Sequence, residues 1–151
     1  MSMIAQADHT HMAAVCNLVK EMHADSQYST VPYDSNKVAR LVNSVVHGSD
    51  SVIFLGLDVA GDVIGFLALE QAQYMFNFDN FVTDLGFYVK PQYRMTTIPY
   101  RLLTAGEEWA RQHGGALVLG VTAPQDSSKT INMYSKLGYK PWGAVVRKEF
   151  S

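Results

Sequence analysis

From Leu85 to Arg94 the chain reads Leu-Gly-Phe-Tyr-Val-Lys-Pro-Gln-Tyr-Arg, and a helical pattern starts at Thr96. An apolar strand, a proline-marked turn and a helix start, in that order, bring two features to the end of a strand. These are the unpaired N–H groups of a first helical turn and the positive end of its dipole. The arrangement suits an anion, above all a phosphate. Other reactive side chains are less organised. His9, His11 and His23 are spread over a loop and a helix without ligand spacing, so no metal site is expected. Cys16, the single cysteine, falls in the pattern Met12, Val15, Cys16, Val19 and reads as a small core residue rather than a nucleophile. One cysteine allows no internal disulfide and fits a reducing compartment.

Composition narrows the partners. The 151 residues are 48% apolar and 17% charged, enough for one globular domain (1–151) with a substantial core. A formal net charge of −2 lacks the basic excess of a nucleic-acid binder. No apolar run reaches the ~20 residues that span a bilayer. The start Met1-Ser2-Met3-Ile4-Ala5-Gln6 has neither a basic n-region nor a long apolar core, so no secretory signal is expected. Together these features point to the cytoplasm.

The elements that must position the phosphate-type loop follow from periodicity. Met3 to Ala7 is a short strand. Asp8 or Thr10 caps a helix with Met12, Val15, Cys16, Leu18, Val19 and Met22 at helical spacing. Asp34 or Ser35 caps a second, with Val38, Leu41, Val42, Val45 and Val46 on one face and Gly48 past its end. Ser51 to Val59 and Val63 to Gln73 form a hairpin around Ala60-Gly61-Asp62, and Phe81 to Val89 continues the meander after a turn at Asn77 to Asn80. A helix from Thr97 to His113 turns Ile98, Leu102, Leu103, Ala105, Trp109 and Ala110 inward. Ala116 to Thr122 reads as a strand buried on both faces. Ser127 or Ser128 caps a last helix, and Tyr139 to Phe150 supplies one or two final strands. The order β-α-α-β-β-β-α-β-α-β predicts an α+β fold (an α/β mixed sheet), mostly antiparallel, with helices on both faces.

This order resembles the GNAT superfamily of acyl-CoA-dependent N-acetyltransferases over nearly the whole chain, Met3 to Phe150. Three stretches carry the resemblance. Phe87 to Arg94 matches the strand "hydrophobic-x-V-x-P-x-x-R" leading into the pyrophosphate loop. Tyr100 to His113, followed by Ala116 to Val121, matches the helix and buried strand that come next. Asn132 to Tyr139 is close to the family ending "x-x-Y-x-K-x-G-F".

The resemblance implies transfer of an acetyl group from acetyl-CoA to a primary amine by direct attack. Pantetheine would lie along Phe87, Tyr88 and Val89, and the pyrophosphate on the loop Arg94, Met95, Thr96, Thr97 and Ile98. Tyr134 falls at the general acid's place. A phenol of ordinary pKa ~10 is a sensible donor to a departing thiolate. Asp84 is the base, with Glu70 as substitute. The acceptor would be a small-molecule or protein amine, chosen by the loop Ser26 to Tyr33, where Tyr28 and Tyr33 can stack or hydrogen-bond. The aromatics from Tyr74 to Phe81 stand at a hairpin tip that suits the acceptor, a homodimer or a protein assembly.

One stretch departs from the pattern. The family loop Arg-x-x-Gly-x-Gly/Ala reads Arg94-Met95-Thr96-Thr97-Ile98-Pro99. Thr97 adds a Cβ where backbone must approach phosphate, and Pro99 lacks an N–H. Loss of one charge-assisted donor costs roughly 1.5 to 3 kcal/mol. The alternative reading is therefore a non-catalytic binding or structural module that has lost CoA.

Overall fold

A computed structural model describes residues 2–121 and 127–150. The chain runs β1 (Met3–Gln6), a 3-10 turn (His9–His11), α1 (Met12–Asp25), a second 3-10 turn (Gln27–Thr30), α2 (Ser35–His47), β2 (Ser51–Leu57), β3 (Val63–Gln73), β4 (Asn80–Val89), a third turn (Pro91–Tyr93), α3 (Ile98–His113), β5 (Leu117–Val118) and α4 (Ser127–Lys136). The sheet order is β1-β2-β3-β4-β5, antiparallel throughout except for the parallel pair β4–β5. This is the expected α+β architecture.

Local chemistry sets the element ends. Asp8 caps the turn before α1, accepting from the Thr10 amide at 2.8 Å. Asp34 caps α2 through the Lys37 amide at 3.0 Å. The β2–β3 hairpin closes on Asp58, whose carboxylate accepts from the amides of Ala60 and Asp62, both at 2.9 Å. Expected and observed strand bounds differ by two residues or fewer in this half.

Strand alternation divides the core in two. Leu55, Phe66, Ala68 and Tyr88 face α1 and α2, joining Val15, Leu18, Val42 and Val45. Leu67, Leu69, Val82 and Val89 face α3, joining Ile98, Leu102 and Ala110. Two inward assignments change. Leu41 is 53% exposed, because the α2 stripe runs through Val38, Val42 and Val45 and leaves Leu41 on its flank. On α3 the residue pressed against the sheet is Gly106 rather than the half-buried Ala105. A Cβ at Gly106 would stand 2.5 Å from Leu67 Cδ2.

The C-terminal third departs further from expectation. β5 spans two residues and is half-buried, where the apolar run predicted seven residues buried on both faces. Its only strand partner among the described residues is β4, so its far edge is open. No strand forms from Tyr139 to Phe150, and every residue after Tyr139 to Phe150 is exposed. A strand needs a neighbour for its backbone groups, and this segment finds none among the described residues. Thr122 and the Ser127 side chain lie outside the described residues.

Where α3 hands over to β5, the chain passes against β4. A Cβ at Gly114 would lie 2.8 Å from Phe81 Cα and 3.0 Å from the Asn80 carbonyl oxygen, and neither backbone atom can swing aside. Gly114→Ala is expected to cost about 1–3 kcal/mol by overpacking, read as a lower midpoint in urea unfolding with an unchanged slope.

Candidate active site

The site begins with two interruptions of β4. First, Ala68 pairs with Gly86 and Leu69 with Asp84, so Leu85 is left without a partner on β3. This is a β-bulge, and it switches the strand's faces. Gly86 and Tyr88 look toward α1 and α2. Asp84, two residues before Gly86, would do the same on a regular strand; the extra residue puts it instead on the face of Val82, toward α3 and α4. Second, β4 and β5 pair only at Val82–Leu117 and Thr83–Val118. From Asp84 onward the outer edge of β4 has no strand beside it among the described residues.

Asp84 stands at this parting. Its Oδ1 accepts the Gly120 amide at 2.9 Å, which ties β4 to the chain leaving β5. Burial raises the carboxyl's pKa, opposed by the N–H groups of Gly120 and of Asp84 itself. Tyr134, on α4, is 8% exposed. Its phenol is pushed up to about 12, first by burial and then by the charge of Asp84. The phenol thus feels the charge of the Asp84 carboxylate. Tyr134 packs on Tyr139, ring centroids 5.4 Å apart, and the Tyr139 hydroxyl donates to Glu107 Oε1 on α3 at 2.7 Å. Glu70 lies opposite Thr83 on β3, and Asp84 is the carboxylate whose charge Tyr134 feels.

The expected cofactor residues divide into groups. Phe87, Tyr88 and Val89 lie on the free stretch of β4. Their side chains alternate between the two cores, Tyr88 in one and Phe87 and Val89 in the other. Met95, Thr96 and Thr97 are exposed at the start of α3, whereas the Ile98 side chain is fully buried. The Ile98 amide donates to Thr96 Oγ1 at 3.3 Å, a contact that partly occupies one helix-start donor. Among the described residues no non-glycine has a positive φ, and Thr97 sits at φ −77° and ψ −7°. The loop therefore does not need glycine's dihedral freedom at position 97. Pro99 falls in the first turn, where its missing N–H is tolerated.

Arg94 belongs to a cluster that sequence reading missed. Its Nε donates to the Val89 carbonyl at 2.8 Å. Its guanidinium sits 5.3 Å above the Tyr88 ring and 4.0 Å from Asp25. The Tyr88 hydroxyl donates to Asp25 Oδ2 at 2.8 Å. Asp25 ends α1, 63 residues from Tyr88, and no local pattern signals that pairing. Beside it, His23 Nε2 lies 2.6 Å from the Val31 carbonyl oxygen and its ring 5.1 Å from Tyr33, so the 26–33 loop is anchored on the end of α1. Tyr28 is half-exposed on that loop.

This geometry meets an independent comparison. The sequence profile of the Acetyltransferase (GNAT) family matches residues 13–139. The chain belongs to that family. Solved structures share its fold at low identity. A putative acetyl transferase from Pyrococcus furiosus is 19% identical with a TM-score of 0.75, covering 99% of this chain and 100% of that one. The aminoglycoside 6'-N-acetyltransferase AAC(6')-Ih from Acinetobacter baumannii is 15% identical with a TM-score of 0.74, covering 100% and 99%. AAC(6')-Iy, solved with a CoA-linked bisubstrate analogue, is 15% identical with a TM-score of 0.78, covering 100% and 99%. Comparison with curated protein sequences gives no match. Among the described residues no helix is long and apolar enough to cross a membrane.

The raised Asp84 pKa has a stability consequence. A carboxyl whose folded pKa lies above its unfolded value penalises the fold once it ionises, so the penalty is absent at low pH and complete at neutral pH. Asp84→Asn removes the charge and keeps an oxygen for the Gly120 amide. The variant is expected to be more stable than the natural protein at pH 7. That advantage should disappear as pH falls below the ordinary carboxylate range, as followed by thermal melts across pH.

Proposed function

We propose that this GNAT-family chain is an N-acetyltransferase that moves an acetyl group from acetyl-CoA to a primary amine, and that it works in the cytoplasm. The observation that carries the reading is the convergence of Asp84 and Tyr134 where β4 parts from β5. There the carboxylate would serve as base and the phenol, which feels its charge, as acid beside a free strand edge.

The residues present suit the cofactor's chemistry. Arg94, Thr96 and Thr97 offer a cation, hydroxyls and a helix start to phosphate, with no strained backbone. The edge Phe87 to Val89 offers backbone groups to pantetheine. Phe87, Met133 and Leu137 approach one another around a cavity of only about 10 Å³, so α4 side chains must yield to admit a chain there. Acetyl-CoA supplies a thioester carbonyl and a thiolate leaving group.

The protein's own part is positioning and proton management. Asp84, raised by burial, takes the proton of the attacking ammonium directly or through water. Neutralising Asp84 removes one of the two causes that hold Tyr134 at about 12. The phenol therefore becomes a stronger acid as a thiolate departs, and the first proton transfer prepares the second. Asp25, Tyr28 and Tyr33 line the acceptor side. Acceptors such as the small amines of the aminoglycoside enzymes are one class; a protein amine is the other.

A module without turnover is the competing reading, favoured by the Thr96 hydroxyl on the Ile98 amide and by Pro99. Titration calorimetry with acetyl-CoA separates the two. Micromolar binding by the natural chain, weakened about 10- to 100-fold in Arg94→Ala, supports the enzyme. No binding, restored by Thr97→Gly with Pro99→Gly, supports the module.

If the enzyme reading holds, Tyr134→Phe and Asp84→Asn should each lower kcat by about 100-fold or more in an acetyl-transfer assay, with acetyl-CoA affinity unchanged. Intact turnover in Tyr134→Phe would remove the acid assignment.

A further inference from the structure

α4 gives little of its surface to the body of the protein. Among its described residues Tyr134 is the one that is buried, while Ile131 and the following Leu137 are each 41% exposed. Near the end of the helix a cavity of about 260 Å³ lies among Glu107, Ala110, Arg111, Leu137 and Tyr139, and a void supplies no packing contacts. Apolar packing therefore holds this end weakly, although its last turn carries the proposed acid.

Hydrogen bonds make up the difference. Gly138, at φ +93°, turns the chain out of α4. Its amide donates to the Ser135 carbonyl at 3.1 Å, and the Tyr139 amide donates to the Tyr134 carbonyl at 3.0 Å. This closure sets the Tyr139 ring against the Tyr134 ring, centroids 5.4 Å apart. From there the Tyr139 hydroxyl donates to Glu107 Oε1 on α3 at 2.7 Å. α3 is itself fixed on the sheet through the buried Leu102, Leu103, Gly106 and Ala110. Burial first, and then the bond to Glu107, raises the Tyr139 phenol, so it remains a donor at neutral pH. The family ending has Phe where this chain has Tyr139, and the shared pattern does not call for the hydroxyl.

We propose that Tyr139 is a positioning residue for Tyr134: its hydroxyl bond to Glu107 moors the end of α4 on α3 and so fixes the place of the phenol. The effect on turnover rests on the acetyltransferase reading, but the mooring does not. A proton donor acts only when its oxygen is held within hydrogen-bond reach of the reacting atom, and a small misplacement costs rate steeply. Neither Tyr139 nor Glu107 belongs to the Phe87 to Val89 edge or to the helix-start loop, so cofactor binding is not expected to depend on them.

Two readouts on the full chain separate these parts. Hydrogen exchange at the amides of Leu137, Gly138 and Tyr139, all bonded back into the last turn of α4, needs no turnover. Tyr139→Phe keeps the ring and loses the hydroxyl, and exchange there should rise about 10-fold. Glu107→Gln keeps an oxygen for the hydroxyl and should exchange as the natural chain does. Glu107→Ala should match Tyr139→Phe, and serves in its place if that variant does not fold. Acetyl transfer from acetyl-CoA is then measured with neamine, spermidine and a lysine peptide. With any amine the natural chain accepts, Tyr139→Phe should lower kcat about 10-fold and leave the acetyl-CoA KM unchanged, while Glu107→Gln keeps the natural kcat. In a Tyr134→Phe background Tyr139→Phe should have no further effect, since it acts through that phenol. Unchanged exchange in Tyr139→Phe and Glu107→Ala overturns the proposal. So does an unchanged kcat in Tyr139→Phe, or a loss that Glu107→Gln shares in full or that persists in the Tyr134→Phe background. If the natural chain acetylates none of the amines, that counts against the acetyltransferase reading and exchange decides the mooring: faster in Tyr139→Phe and natural in Glu107→Gln supports it, and no difference overturns it.

Discussion

The geometry of the site depends on the break in β4. A regular strand would carry Asp84 to the α1–α2 face with Gly86 and Tyr88, away from the Gly120 amide that it accepts in the folded chain. The extra residue at Leu85 reverses the face, so the carboxylate meets the Gly120 amide and the charge-sensitive phenol of Tyr134. The same strand loses its outer neighbour after Thr83. The bulge sets which face the carboxylate serves, and the parting opens the backbone edge beside it.

Burial then gives the pair its electrostatic character. Tyr134 is almost fully enclosed, with Tyr139 against one side and α3 anchoring Tyr139 through Glu107. In that low-dielectric setting ionising either group is costly, and the charge of one disfavours the charge of the other. The charge of Asp84 therefore adds to burial in keeping the Tyr134 phenol protonated.

On the other face of the sheet, the Arg94–Tyr88–Asp25 cluster joins the helix-start loop to the end of α1. Arg94 is held by the Val89 carbonyl and by the Tyr88 ring, both from β4. The residue nearest the proposed phosphate site is thus positioned by the strand proposed to carry pantetheine. Asp25 extends that link to the 26–33 loop, so the proposed acceptor and cofactor sides share one hydrogen-bonded contact.

Patterns of period two and 3.6, with Asp34 and Gly61 as punctuation, were enough to place β1 to β4 and α1 to α3, because those signals are local and the core they build is amphipathic on both sides of one sheet. The turn and helix start at Pro91 to Ile98 were legible for the same reason, being short spacings at element ends, whereas the place given to Tyr134 came from the family resemblance alone. The bulge at Leu85 was not legible, since a one-residue register shift leaves no mark in composition and is decided by which pairing with β3 buries Leu67 and Leu69. The contacts of Asp25 with Tyr88 and of Asp84 with Gly120 span 63 and 36 residues, and only the folded chain brings them within reach. The end of the chain reverses the pattern. Its composition calls for strands at Ala116 to Thr122 and after Tyr139, but a strand exists only where a neighbour accepts its hydrogen bonds, and tertiary structure alone decides whether that neighbour is there.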